Sequence, residues 1–545
     1  MTPSAHVDTF ARDHLPPRDL WPDMVVPPGS VFDYPARLNC AVELLDRTID
    51  AGHGDRPLLR WDGGVWTYRE FRREADRIAH VLVDEMELLP GERVLLHGPN
   101  TPTFAAAWMA VVRAGGIVVA TMPLLRAAEL TYTIEKAQVR LVLCHVSCRE
   151  ELEKATTQTT LIEQVVYFGD HTGDGPEAHG DGLEARAAAK PEGFTPVDTA
   201  ADDVVLIAFT SGTTGRAKAT MHAHRDVLAI CDAFPRTCLD VRPDDVFTGT
   251  PPLAFTFGLG GLLLFPMRFG ASTVFVGKSG PDALLDTIQQ HGVTTVFTSP
   301  TAYRAVLGRL GDFDVSSLRA CVSAGEPLPA PTSDAWHAAT GLRIVDGIGS
   351  TEMLHIFVSV PAAEQRPGAT GKPVPGYEAR VVDREGNEVP PGTVGLLAVR
   401  GPTGCRYLDD EERQREYVKD GWNYPGDAYT MDADGYFHYQ ARADDMIISG
   451  GYNIAGLEVE TALLRHPAVA ECGVVGAPDD LRGQVVKAYV VLHAGHEPTD
   501  ETARELQDWV KAEIAPYKYP RAVQFLDALP RTQTGKLQRF RLREI

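Results

Sequence analysis

Val204-Val-Leu-Ile-Ala-Phe-Thr210, running directly into Ser211-Gly-Thr-Thr-Gly-Arg-Ala-Lys218-Ala219, decides the fold class. An apolar run of this length, rich in β-branched residues and closed by a glycine turn, reads as a buried strand. In the turn, Gly212 and Gly215 let the backbone bend tightly with its N–H groups exposed. Thr210, Ser211, Thr213 and Thr214 add hydroxyls, and Lys218 adds a cation. Such a loop cradles a polyphosphate. Its Gly-x-x-Gly-x-x-Lys spacing is not the G-x-x-x-x-G-K-[ST] of P-loop enzymes, which argues against a kinase or P-loop ATPase. The charge balance makes a local cradle necessary. Lys and Arg number 52 against 74 Asp and Glu, a net −22, so nucleic acid and anionic membrane surfaces are disfavoured as partners.

Outward from this strand, short apolar runs alternate with longer amphipathic ones. Strand-like runs are 93–97, 117–121, 141–145, 165–168, 272–276 and 294–298; 68–85 and 281–290 have helical spacing. That alternation predicts βαβ units and parallel sheets. A length of 545 residues suggests about two to four domains. Residues 170–196, rich in Gly, Asp, Glu and Ala, read as an exposed connection. The texture changes near 434–452, and the tail holds two strand-like runs (468–475 and 485–493) and an amphipathic helix around 502–514. The eight cysteines form no CxxC pair and read as buried free thiols of a reducing compartment. The N-terminus has no apolar signal segment and no run reaches about 18 apolar residues, so the expected location is the cytoplasm.

Further along stand Ser323-Ala-Gly-Glu-Pro-Leu-Pro329, Asp346-Gly-Ile-Gly-Ser-Thr-Glu352, Asp427, Arg442-Ala-Asp-Asp-Met-Ile-Ile-Ser-Gly-Gly451 and Pro530-Arg-Thr-Gln-Thr-Gly-Lys536. With the phosphate loop, this ordered series resembles the acyl-adenylate-forming superfamily (AMP-dependent synthetases and ligases), over most of the chain. The resemblance implies an α/β fold: a large N-terminal domain, 1–443, of parallel-rich sheets and helices, and a small mobile α+β lid, 444–545. It implies ATP, Mg²⁺ and coenzyme A as co-reactants. Thr351 would touch the α-phosphate and Glu352 would hold Mg²⁺, consistent with that ion's use of one or two carboxylates plus substrate phosphates. Gly325, Glu326 and Pro327, with Asp346, Gly347 and Ile348, would line the nucleotide site. Asp427 and Arg442 would contact the ribose. Asp444 would be the hinge, Gly450 and Gly451 would lie against pantetheine, and Lys536 would reach the acyl carboxylate and phosphate.

Pro252-Leu-Ala-Phe-Thr-Phe-Gly-Leu-Gly260 and Glu352-Met-Leu-His-Ile-Phe357 look like the benzoate-type CoA ligases, and most like those acting on 2-aminobenzoate. On that likeness Phe255, Phe257, Gly258, His355 and Ile356 contact an aromatic acid, with 2-aminobenzoate ranked first, then salicylate, then benzoate. The expected activity is ATP-dependent aryl-CoA ligation by a monomer or homodimer that binds small molecules, not nucleic acid or membrane. Two alternatives stay open: loading of a carrier protein's phosphopantetheine, and a non-catalytic acyl-AMP or nucleotide sensor.

Overall fold

The computed structural model describes residues 3–169, 181–210, 217–276, 280–442, 445–449, 452–479, 482–531 and 537–545. The predicted strand Val204–Thr210 is an inner strand of a six-stranded sheet, in the order Gln164–Phe168, Leu141–His145, Arg93–His97, Ile117–Thr121, Val204–Thr210, Lys218–Ala223. The first five are parallel and the last is antiparallel. Their near-continuous burial is what a parallel sheet covered on both faces requires.

A nine-stranded sheet has a parallel centre formed by Ile344–Gly349, Ala320–Ser323, Thr295–Thr298, Val246–Gly249, Ser272–Val274 and Pro57–Trp61. Antiparallel strands close both of its edges. Helix Pro102–Arg113 is buried on every side, and one core joins it to residues of both sheets. Its sequence explains this. Pro102 sits at the first turn, the Thr101 hydroxyl accepts the Phe104 N–H at 3.1 Å, and Ala105-Ala-Ala107 allows close approach. A helix apolar all round belongs in such an interior layer.

A third, antiparallel sheet of six strands runs from Glu378–Val382 to Phe437–Arg442. The fourth sheet contains strands from Ile447–Ser449 onward, with the long pair Val469–Asp479 and Gly483–Leu492 and helix Asp500–Glu513. All eight cysteines are free and buried. Among the described residues no helix is long and apolar enough to cross a membrane.

One expectation needs correction. The stretch expected to be an exposed connection contains helix Leu183–Ala188, with Leu183 and Ala187 buried in the neighbourhood of helix Tyr68–His80. Leu-Glu-Ala-Arg-Ala-Ala has strong helix propensity, and its two apolar residues four apart form one small face. Residues 170–180 of that stretch lie outside the described residues.

Candidate functional site

Several candidates stand at or just past the carboxyl ends of parallel strands, at Thr210, after Gly249, and after Ser323 and Gly349, where open α/β sheets bind ligands. Thr210 and Lys218 face each other across the antiparallel pair. Ser211, Gly212, Thr213, Thr214 and Gly215, which join them, lie outside the described residues. The Lys218 ammonium stands 5.8 Å from the centre of the Tyr407 ring, within cation–π range. The Tyr132 hydroxyl donates to the Ala217 carbonyl at 3.0 Å.

In the nine-stranded sheet, Ser323 and Asp346 are register partners on adjacent strands. This brings the 323–329 loop beside the 346–352 segment. Gly325 takes a left-handed φ of 88°, which lets the chain turn away from the strand end. Next to it, Glu326 accepts a hydrogen bond from the Thr301 hydroxyl at 2.7 Å, and Pro327 leads on toward helix Ala330–Thr340. The Asp346 carboxyl is buried, and burial pushes it up to about 7 against smaller downward pulls from the Ser323 hydroxyl and the Gly347 backbone. Ile348 is half-buried. Ile356 packs onto Gly347, its Cγ2 only 2.8 Å from where a Cβ at Gly347 would stand, so these two candidates support one another.

Past the strand end, His222 Nε2 donates to the Thr351 carbonyl at 2.8 Å. Glu352 is buried, and the Tyr407 hydroxyl donates to its Oε1 at 2.6 Å. Ser350 and Tyr417 share a hydrogen bond of 3.1 Å. Leu354, fully buried, holds φ at 71°, an uncommon conformation for a branched residue. It directs the chain into His355.

Asp427 and Arg442 are opposite each other in an antiparallel pair. Arg442 Nη1 donates to Asp427 Oδ2 at 3.3 Å and to the Pro425 carbonyl at 2.7 Å. Their fifteen-residue spacing is therefore hairpin register. Two buried tyrosines tie the carboxylates into one region. Burial raises the Tyr417 phenol, and the charges of Glu352 and Asp427 raise it further. Tyr429 is raised by burial, with smaller pushes from Asp427 and Asp346.

Of the acyl-pocket candidates, Phe257 meets His355, together with Phe234 and Phe265. The His355 ring lies 4.6 Å edge-on from Phe265, 5.8 Å from Phe257 and 5.9 Å from Phe234, centre to centre. A Cβ on Gly260 would come within 2.5 Å of the His355 ring, and one on Gly258 within 2.1 Å of the Pro252 carbonyl oxygen. Gly260 thus admits the imidazole, while the bare backbone of Gly258 serves the turn. Phe255 is half-buried at the start of the short helix Thr256–Leu259. Burial pushes His355 down to about 3, against a smaller upward pull from the Phe257 backbone. Neither ring nitrogen reaches a partner at hydrogen-bond geometry among the described residues.

His222, His224 and His355 are all pushed to about 3 by burial, and His97 to about 4. Each is neutral when folded and takes up a proton when unfolded below about pH 6.5. Stability present above pH 6.5 is therefore lost as the pH falls toward 4, by about 1.4 kcal/mol per pH unit for each histidine. Asp346 opposes with one proton, since its folded form holds the proton that the unfolded chain releases. The expected net result is a falling urea midpoint from pH 6.5 to 4.5; a flat profile would contradict the buried neutral state of these rings.

From the tail, Arg531 Nη2 donates to Glu471 at 2.6 Å and Nη1 to the Thr301 hydroxyl at 3.4 Å, while Arg304 stands 3.8 Å from Glu471. These contacts dock the last sheet beside the 323–329 loop. Asp444, Gly450, Gly451 and Lys536 lie outside the described residues. Sequence reasoning missed Tyr407, His222 and Leu354, for which no local motif gives a signal.

The chain matches known proteins over nearly its whole length. Residues 46–406 match AMP-binding enzymes, and residues 458–536 match the AMP-binding enzyme C-terminal domain. The chain is 34% identical to a benzoate–CoA ligase of Thauera aromatica, over 93% of this chain and 96% of the relative. It is 33% identical to a 3-hydroxybenzoate–CoA ligase of Aromatoleum sp. (strain CIB), over 94% and 98%. Among solved structures, the anthranilate CoA ligase AuaEII in complex with anthranoyl-AMP matches with a TM-score of 0.88 at 33% identity, covering 94% of this chain and 98% of that one.

Proposed function

The chain belongs to the AMP-binding enzyme family and is an acid–CoA ligase of the aryl class; from that premise we propose that it activates an ortho-substituted benzoate, 2-aminobenzoate before salicylate and salicylate before benzoate. The observation that carries the choice of acid is His355. A neutral imidazole with neither nitrogen at hydrogen-bond geometry to a partner among the described residues, ringed by Phe234, Phe257 and Phe265, offers edge-to-face packing for a benzoyl ring. It also offers one hydrogen-bonding group for a substituent or the carboxylate. A buried polar group left unmatched costs more than a matched one gains, so an acid that supplies the partner is favoured.

In the first half-reaction the acid's carboxylate, already ionised at neutral pH, attacks the α-phosphorus of ATP and pyrophosphate leaves. The phosphate-loop donors, Lys218, the Thr351 hydroxyl and Lys536 face the charge that builds on phosphorus; preorganised donors of this kind supply the largest share of such rate enhancements. Asp427 and Arg442 hold the ribose, and Asp346 with 325–327 receives adenine. Glu352 fits a magnesium ion in its chemistry: it is a buried carboxylate with no cluster of three metal-ligating side chains among the described residues, as for an ion that takes most of its ligands from phosphate and water. Bound there, Mg²⁺ would offset phosphate charge. In the second half-reaction the tail, divided from the large domain between 443 and 444, turns about Asp444. Lys536 withdraws, the CoA thiol attacks the acyl carbonyl beside Gly450 and Gly451, and AMP leaves.

The test is pyrophosphate release and AMP formation with 2-aminobenzoate, salicylate, benzoate and 4-hydroxybenzoate, with and without CoA. Expected is CoA-dependent AMP formation with kcat/KM at least about tenfold higher for an ortho-substituted acid than for benzoate. Equal values would remove His355 as the discriminating group, and pyrophosphate release without CoA-dependent turnover would move the acceptor to a carrier protein.

A further inference from the structure

We propose that Tyr407 is a positioning residue for adenylation: its hydroxyl holds one oxygen of Glu352, leaving the other for the cation, while its ring supports the Lys218 ammonium. The inference rests on the reading of Glu352 as the metal carboxylate and of Lys218 as a phosphate contact.

The geometry is specific. Tyr407 is 1% exposed and Glu352 7%, and their hydrogen bond is 2.6 Å long, in the range of a charge-assisted O–H···O⁻ bond. The same ring lies under Lys218 and meets Tyr417 edge-on at 5.8 Å. One side chain thus touches Lys218, which follows the phosphate-loop sequence, and Glu352, which ends the 346–352 segment.

The segment carrying Tyr407 is clamped. Its N–H donates to Gln414 Oε1 at 2.9 Å, and Gln414 Nε2 donates to the Cys405 carbonyl at 3.0 Å and the Leu20 carbonyl at 2.9 Å. Arg406 pairs with the wholly buried Asp226, and the Arg406 carbonyl accepts the Met221 N–H at 2.8 Å. With its backbone fixed from both sides, the hydroxyl has little freedom to leave Glu352. Stability alone does not require this arrangement. Burying a carboxylate is costly, and replacing both partners of a buried polar pair by apolar groups is often neutral or better. A buried phenol–carboxylate pair at the edge of a phosphate site is accounted for by the carboxylate's orientation.

Tyr407→Phe keeps the ring and deletes the hydroxyl; Glu352→Gln removes the charge it holds. The readout is Mn²⁺ affinity by electron paramagnetic resonance, in the presence of α,β-methylene-ATP, alongside melting temperature and each half-reaction. Expected is about a 10–100-fold weaker Mn²⁺ affinity in Tyr407→Phe, the usual cost of losing a partner that orients a metal ligand. The double variant should be no weaker than Glu352→Gln alone, because both act through one carboxylate. Loss of Mn²⁺ affinity in Glu352→Gln but not in Tyr407→Phe would overturn the positioning role and leave the Glu352 reading intact. Unchanged affinity in both would overturn the Glu352 reading and this inference with it. If Tyr407→Phe instead lowers melting temperature and both half-reactions together, the role is merely structural and the proposal fails.

Discussion

Replacing Lys536 with alanine is expected to lower pyrophosphate release by about 10²–10³-fold, the cost of deleting one preorganised donor from a developing charge, while pre-formed aroyl-AMP is still converted to thioester. The split between half-reactions follows from what each demands. The first builds charge on a five-coordinate α-phosphorus under attack by an anion, and it is there that the lysine cation is placed. The second expels AMP by thiol attack on a carbonyl. In this structure the tail docks on the large domain through Arg531 with Thr301 and Arg304 with Glu471, five residues before Lys536 in sequence. Stopped-flow or single-turnover measurement of each half-reaction separates the cases. If both fall equally, the lysine does not withdraw between steps and the rotation described above is wrong.

The second large effect is expected at Glu352. Glu352→Gln keeps the shape and a hydrogen-bond acceptor for Tyr407 but removes the charge. The Mg²⁺ concentration needed for half-maximal adenylation should rise by on the order of 100-fold, the upper end of what loss of a mere orienting partner produces. The KM for the aromatic acid should move little, because His355 and its phenylalanines are untouched. A variant with unchanged metal dependence would take Glu352 out of the site.

How far these expectations were legible from sequence varied with the range of the contacts involved. Strands 93–97, 117–121, 141–145 and 204–210 stand where their apolar runs predicted them, because a buried parallel strand is written in consecutive residues. The spacing of Asp427 and Arg442 became hairpin register, because an antiparallel pair joined by a short turn lies within one continuous stretch of chain. Helix Leu183–Ala188 was missed because its apolar face is two residues wide, too little for a periodic signal amid Gly and Asp.

Sequence by itself therefore determined the α/β class, the order of chemistry-bearing segments and the family, since these depend on local propensity and on residue types at short spacing. Tertiary structure alone decided which side chains complete the site. Tyr407 reaches Glu352 across 55 positions and His222 reaches Thr351 across 129. His355 became a neutral imidazole because packing, with Phe234, Phe257 and Phe265 around it, buries it. Burial sets ionisation, and burial is a property of the packed chain rather than of any segment within it.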